Sequence, residues 1–518
     1  MMRSLFSGVS GLKSHQTRMD VIGNNIANVN TTGFKSSRTT FADTLSQTLF
    51  GASAPQDNIG GTNPKQIGLG TVVASIDLLF TDGSVQPTGK NTDLCLSGNG
   101  LFVVKRGSET YYTRDGAFEF DAEGNYVLPI SGLYVQGWTA TDGVLNTSGA
   151  AGNIKIAAGK SMAAKATAKA TYANNLNAGA PTISSITNGM ITYDTKTTGS
   201  LTAGATVTKL VQGSTTYDTT NTGSLTGTTA DPVTVTFSDG STAEVKSGTY
   251  TIGQSAPVTI TLSDGSTVTE TTGKYTVGQS LPVTTTLTVY DALGNAHSVP
   301  VYFTKTKTDS TNGNTWTVSI NTDGSGKSSI TESDGTTTSI EMANQSLQFT
   351  TDGKYKSGSG TVTLTLTNGA TGTQTVTLDL SKLTQYSGKS TVNGTSDGNA
   401  AGTLSSVSVD SSGIITGAYT NGVKQTEAQV AVAQFTNASG LTKTGNSLYQ
   451  ESNNSGTANV KTASDLGVMI TPSALEMSNV DIANEFSDMI ITQRGFQSNS
   501  KIITVSDEML ETLINMKR

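Results

Sequence analysis

The sequence is poor in the residues that carry chemistry. One cysteine in 518 residues leaves no partner for an internal disulfide. Cys95, within the apolar run Leu94-Cys95-Leu96, is expected as a small core residue rather than a nucleophile. Only two histidines occur, His15 and His297, and neither sits in a motif that would assemble a Ser-His-Asp triad or a metal site. Ser161 and Lys165 miss the spacing of a Ser-x-x-Lys nucleophile, and Ser97-Gly98-Asn99-Gly100 precedes a strand rather than a phosphate-binding helix. No catalytic residue, cofactor site or metal site is expected. Charged residues are scarce too, at 14%, and the net charge of −7 comes without a basic stripe. That excludes nucleic acid as the main partner and leaves protein. No apolar run approaches the roughly eighteen residues of a membrane span, so direct membrane insertion is not expected. The opening Met-Met-Arg-Ser-Leu-Phe-Ser-Gly-Val-Ser lacks the continuous apolar core of a cleaved signal peptide.

What is abundant is glycine, 57 residues of it, together with threonine and serine through the middle. This composition suits many short strands and turns, with threonine on exposed sheet faces. The length calls for three or four domains. Leu101-Phe102-Val103-Val104, Thr285-Leu287-Val289 and Val362-Leu364-Leu366 read as strands between turn clusters. Asp82-Gly83, Asp239-Gly240, Asp264-Gly265, Asp334-Gly335 and Asp352-Gly353 are candidate hairpin turns.

The ends differ in kind. Leu5, Val9, Leu12, Met19 and Ile26 fall on alternating four- and three-residue steps, with Ile22 widening the stripe. That spacing predicts an amphipathic helix, halted at the turn formers Asn28 to Gly33. Ile482, Phe486, Met489, Phe496, Ile503, Leu510 and Ile514 follow the same rhythm at the other end. Ser478 and Asp481 offer an N-terminal cap, and Lys517 and Arg518 suit the negative end of the helix dipole. A helix of about 60 Å cannot bury such a stripe on itself. Either the two helices pair in a coiled-coil-like seam, or each packs on the β-rich middle; the length of the seam favours pairing. The fold class read here is multidomain and mainly β, with paired terminal helices and β domains nested between them.

The middle contains a repeat. Pro232-Val-Thr-Val-Thr-Phe-Ser-Asp-Gly-Ser-Thr returns from Pro257 as Pro-Val-Thr-Ile-Thr-Leu-Ser-Asp-Gly-Ser-Thr. Tyr193-Asp-Thr-Lys-Thr-Thr-Gly-Ser-Leu-Thr returns from Tyr217 as Tyr-Asp-Thr-Thr-Asn-Thr-Gly-Ser-Leu-Thr. Each unit is too small to fold alone, so residues 181–281 read as one duplicated β insertion.

Gly23-Asn24-Asn25-Ile26-Ala27-Asn28-Val29-Asn30-Thr31-Thr32-Gly33-Phe34-Lys35 resembles the N-terminal signature of bacterial flagellar rod and hook proteins. Ser478-Asn479-Val480-Asp481 and Gln493-Arg494-Gly495-Phe496-Gln497-Ser498-Asn499 resemble the same family's C-terminal helix. The motif residues matched are Asn24, Asn25, Asn28, Gly33, Phe34, Gln493, Arg494 and Phe496. Asp291-Ala-Leu-Gly-Asn295 with its flanking strands, and Ala431 to Asn437, are similar to hook rather than rod segments. The resemblance implies a structural subunit that self-assembles into a flexible curved tube, a universal joint passing torque from rod to filament. It implies partners in the distal rod protein, the hook cap protein, the hook–filament junction protein and the flagellar export apparatus. It also implies export without a cleaved signal and an extracellular place in the flagellum.

The nested plan it implies has residues 1–33 with 478–518 as paired helices and 34–75 with 450–477 as a connector. An inner β domain would take 76–160 with 406–449, an outer one 161–180 with 282–405, and 181–281 would lie outermost. The rivals are a rod or junction subunit sharing the same ends, a threonine-rich adhesin, and a β-rich hydrolase that would require a polar pocket.

Overall fold

Both periodicities are realised in the computed structural model, which describes residues 2–55, 60–332, 335–370 and 372–516. Lys517, Arg518 and Asp334 lie outside those residues. Helix α1 runs Met2–Ala27 and helix α2 runs Ile482–Asn515. The chain leaves α1 through Asn28 and turns at Gly33, whose φ of 64° is open to glycine at no steric cost. Asp481 caps α2: its Oδ1 accepts from the Ala483 N–H at 2.9 Å and the Asn484 N–H at 3.3 Å. Two donors that the helix cannot satisfy internally are thus paired. No described helix is long and apolar enough to cross a membrane.

The chain forms two compact units, Met1–Ser161 with Thr403–Arg518, and Met162–Gly402. In the first, strands from the two halves of the sequence alternate. Leu101–Arg106 pairs with Glu109–Thr113, Leu133–Thr139 and Val432–Gln434, and Leu133–Thr139 pairs in turn with Lys424–Val430. Leu94–Ser97 pairs with Met469–Pro472, and Val85–Pro87 with Ala474–Glu476. Nearly continuous apolar runs such as Leu101-Phe102-Val103-Val104 follow from burial on both faces. Their core gathers Leu94, Phe102, Tyr126, Val135, Val430 and Ile470. Cys95, between Leu94 and Leu96, is buried at 1% exposure, and burial first, then the nearby Glu476 carboxylate, pushes its thiol up to about 11.

Beside α1, Ser37–Asp43 pairs with Thr71–Leu78, and the hairpin continues as Ser46–Phe50 against Lys65–Gly68. Asp82-Gly83 does not form the hairpin turn expected of it. Gly83 is there because its backbone presses on Met477, whose carbonyl a Cβ would strike, and its N–H donates to Glu476 Oε1 at 2.8 Å.

In the second unit a five-stranded antiparallel sheet faces a six-stranded one. Their shared core holds Tyr172, Phe303, Trp316, Phe349 and the alternating apolar residues of Ser359–Thr365 and Thr373–Tyr386. Lys169–Asn177 enters this six-stranded sheet parallel to Thr373–Tyr386. Asp291-Ala-Leu-Gly-Asn295 turns one hairpin: Asp291 Oδ1 accepts from the N–H groups of Leu293 (2.9 Å) and Asn295 (2.8 Å), with Gly294 at a φ of 91°. Asp121-Ala-Glu-Gly-Asn125 repeats the device in the first unit. Residues 183–277 carry a core of their own, centred on Ile186, Leu210, Val235 and Ile260.

Candidate functional site

The two helices pack on each other, but not through the large apolar residues that the heptad count selects. On α1 the buried positions are Gly8, Gly11, Ser14, Ile22 and Asn25; on α2 they are Thr492 and Ser506. A Cβ on Gly11 would lie 2.7 Å from the Asn499 amide, and one on Gly495 would lie 2.6 Å from the His15 ring. Small residues therefore set the approach of the helices, and side chains from the opposite helix fill the notches. Leu5, Val9, Leu12, Met19 and Ile26 are half-buried, as are Met489, Ile503 and Leu510. Ile482, Phe486, Phe496 and Ile514 are exposed, at 46%, 49%, 41% and 68%. Ile490, Ile491, Ile502 and Leu513 are exposed with them. Packing on α1 thus leaves much of the apolar surface of α2 exposed.

Where α1 ends, the asparagine motif ties three elements together. Asn25, 1% exposed, donates to the Ser37 carbonyl and to Glu485 Oε1, both at 2.9 Å, and accepts from the Ser37 N–H at 3.0 Å. One amide therefore joins α1, the strand after it and the first turn of α2. Asn28 donates to the Asn24 carbonyl at 2.8 Å and to Asn24 Oδ1 at 3.0 Å, closing the last turn. A Cβ on Gly33 would strike the backbone of Asp115, which explains the glycine there. Phe34 is buried, with the Lys443 ammonium 3.8 Å above its ring, a cation–π contact. Gln493 and Arg494 are exposed; Arg494 reaches along its own helix, to Gln497 at 3.1 Å.

Below the motif lies a charged cluster to which the quoted motifs contribute Lys35 but neither Arg114 nor Glu476. Glu476 Oε1 accepts from Lys35 Nζ at 2.7 Å, and its Oε2 accepts from Arg114 Nη1 at 3.1 Å. Lys35, Arg114 and Glu476 are 0%, 1% and 1% exposed, so this is an ion triad sealed from water. Lys35 also donates to the Thr81 carbonyl at 2.6 Å, and Arg114 to the Leu96 and Gly98 carbonyls. Asp82 stands 3.4 Å from Arg114 and completes the charge balance. Burial holds the Lys35 amine below its usual range, and the attraction of Glu476 works against that shift. Asn479 adds a second latch: its Oδ1 accepts from the Ser36 N–H at 2.8 Å and its Nδ2 donates to the Leu79 carbonyl at 2.8 Å. The arrangement has no reactive geometry; it fixes where the two helices leave the β structure.

Helix ends latched in this way, flanking interleaved β strands, agree with family comparisons. Residues 5–35 match the family described as flagella basal body rod protein, and residues 471–516 the flagellar basal body rod FlgEFG protein C-terminal. Residues 95–180 match the flagellar hook protein FlgE/F/G D1 domain, and residues 278–399 the flagellar basal body protein FlaE D2 domain. The class is thereby defined as a structural protein of the flagellar rod and hook.

Full-length relatives narrow it. The flagellar hook protein FlgE of Treponema pallidum is 38% identical over 554 aligned residues, covering 100% of both chains. That of Borreliella burgdorferi is 33% identical over 538, again covering 100% of both. A crystal structure of the Helicobacter pylori flagellar hook protein FlgE2 aligns at a TM-score of 0.44 and 17% identity, over 76% of this chain and 100% of that one. The chain belongs to the flagellar hook protein family and is a structural subunit of the hook.

Proposed function

We propose that the subunit polymerises through its terminal helices into a flexible curved tube that passes motor torque from rod to filament. The observation that carries this is the apolar surface that α2 leaves exposed, at Ile482, Phe486, Phe496, Leu513 and Ile514. Within the chain, small residues already satisfy the α1–α2 contact, so neighbouring subunits are the occupants of that surface. Burying it along a helical lattice, at about 25 cal/mol per Å² of apolar surface, gives a durable joint from modest individual contacts.

The threonine-rich sheet faces of the β domains supply weak, wet contacts that exchange as the tube rotates. The domain series is the nested one: helices 1–33 with 478–518 innermost, then 34–75 with 450–477, 76–160 with 406–449, 161–180 with 282–405, and 181–281 outermost. Separate cores for the strands of the first unit, for the paired sheets and for residues 183–277 support its inner, outer and outermost β members. The subunit works outside the cell, delivered without a cleaved signal by the export apparatus. It meets the distal rod, the cap and the hook–filament junction at the ends of the tube.

Purified full chain, concentrated with and without precipitant and viewed by negative-stain electron microscopy, tests this. Curved tubes are expected from the intact chain and none from a chain cut before Ile482, whose β units still fold. Normal tubes from the truncated chain would overturn the assignment.

A further inference from the structure

Residues 181–281 fall into four quarters of three strands each: 183–202, 207–227, 233–251 and 258–276. By sequence the first resembles the second, and the third resembles the fourth. Tandem repeats of this kind would pair each quarter with its neighbour. The strands do otherwise. Ile183–Thr187 of the first quarter pairs with Val258–Leu262 of the fourth, while Val207–Gln212 of the second pairs with Val233–Phe237 of the third.

The two assemblies match residue for residue. Ile186 faces Ile260 in one and Leu210 faces Val235 in the other; Leu201 faces Tyr275 and Leu225 faces Tyr250. Both carry a bulge at the same place, one residue after Ile183 and one after Val207. Even the bulged side chains agree: Ser184 Oγ donates to the Thr261 carbonyl at 2.9 Å, and Thr208 Oγ1 to the Thr236 carbonyl at 3.1 Å. In both, a glycine lies under a tyrosine ring. A Cβ on Gly199 would lie 2.5 Å from Tyr193, and one on Gly223 2.5 Å from Tyr217.

The join is equally informative. In the second assembly, the N–H of Thr228 donates to the carbonyl of Asp231 at 3.0 Å and closes a tight turn. In the first, the corresponding bond runs from the Gly204 N–H to the Ala256 carbonyl at 3.1 Å. The same hydrogen bond closes both loops, but one encloses Thr229-Ala230 and the other encloses residues 205–255.

We infer that residues 205–255 are a complete second copy of the domain formed by 181–204 with 256–281, inserted into that domain's own apex turn, and separable from it. The turn Thr228-Thr229-Ala230-Asp231 is then the equivalent acceptor point, free to receive a further copy. The physical case is that the ends of the insert already meet at one hydrogen bond, so excision asks for no backbone movement, and loop length costs little once the ends are held. Beside the join Ala203 and Ala256 are small buried residues, and the Thr202 N–H donates to Asp239 Oδ2 of the insert at 3.3 Å, an exposed hydrogen bond that excision gives up. The segment thus works as a spacer whose copy number can change while the rest of the chain keeps its contacts.

The test is made in the full chain. Gly204 to Ala256 is replaced by Thr-Thr-Ala-Asp, the turn of the inner copy, and thermal unfolding is followed by circular dichroism. A soluble chain with a cooperative transition, its midpoint within about 5 °C of the parent, is expected. A second chain loses a segment of the same length moved ten residues towards the N-terminus, which cuts across both copies; it is expected to lose the transition of this segment. A third receives an extra copy of residues 205–255 in place of Thr229-Ala230 and is expected to fold. Collapse of the first or the third chain, or equal survival of the second, would overturn the inference.

Discussion

At the junction below α1, Lys35, Arg114 and Glu476 come from three distant parts of the chain and meet with almost no exposure. In residues 181–281 the ion pair described, Lys246 with Glu244, is exposed and 4.0 Å long, and the core is held by aliphatic and aromatic side chains. Both regions must bring remote segments together. The junction does so with buried charge, whose desolvation is offset only if every partner is present. The repeated region does so with apolar strand faces, where no single residue leaves a buried charge behind when it is lost. The first arrangement fixes one geometry and fails as a unit; the second tolerates change and can be copied. That contrast suits a helix exit that must be fixed and a spacer that need not be.

Breaking the junction gives the largest effect. Glu476→Ala removes the anion shared by two buried cations, leaving Arg114 only the half-exposed Asp82, and is expected to destabilise the unit holding them by about 3–5 kcal/mol. Chemical denaturation of the full chain measures it; a loss below 1 kcal/mol would mean that the triad is not sealed as its exposure indicates. Next come matched truncations in the two copies. Ile186→Ala and Leu210→Ala occupy equivalent, fully buried positions, and each is expected to cost about 2–5 kcal/mol. The informative quantity is their difference: the duplication predicts costs alike to within about 1 kcal/mol, read from the same denaturation curves.

A smaller effect is expected between the helices. Gly495→Ala places a methyl group against His15, and overpacking of this order costs about 1–3 kcal/mol. It should slow tube formation while leaving the unfolding of the β cores unchanged. Identical tube growth would show that the His15 notch is not tight.

Much of this was legible in the sequence. The alternation of four and three residues located both helices, the asparagine cluster marked the exit of α1, and Asp481 announced the cap of α2. The positions heading the heptads proved to be half-buried or exposed, because period alone cannot say which flank of a stripe meets the partner helix. Glycines at positions 8, 11 and 495 were the usable signal, since a notch is recorded in sequence by what is missing. Glu476 was silent for another reason. It stands in Ala474-Leu475-Glu476-Met477, an unremarkable edge segment, and its partners lie hundreds of residues away. The repeats were plain, but their pairing was not: sequence similarity shows which quarters are alike, and only strand pairing shows which ones meet.

The smallest effect expected is a pH dependence of helix docking centred on His15. Its ring packs against Gly495 and lies edge-on to Phe41 at 5.9 Å, and its Nδ1 has no hydrogen-bond partner among the described residues. Burial first, and then the neighbouring Arg18 guanidinium, hold the imidazole below its usual 6.5. Arg18 itself pairs with Asp488 of α2 at 3.0 Å, so its charge stays beside the ring. A group with a depressed pKa in the docked state takes its proton first in the undocked chain. Docking is therefore fully favoured above 6.5 and weakens as the pH falls through that value towards the docked pKa. Glu485 runs the other way: burial raises its carboxyl above 4.5 although Asn25 donates to it, so its contribution is complete below 4.5 and declines as the pH rises. The two groups act in opposite senses between 4.5 and 6.5, so the share of His15 is read by difference. Between about pH 5 and 7, acidification should lower the helix-melting midpoint of the parent more than that of His15→Gln, which keeps a polar side chain of similar reach. Equal slopes in the two proteins would place the sensitivity elsewhere and leave His15 as a space-filling residue in the Gly495 notch.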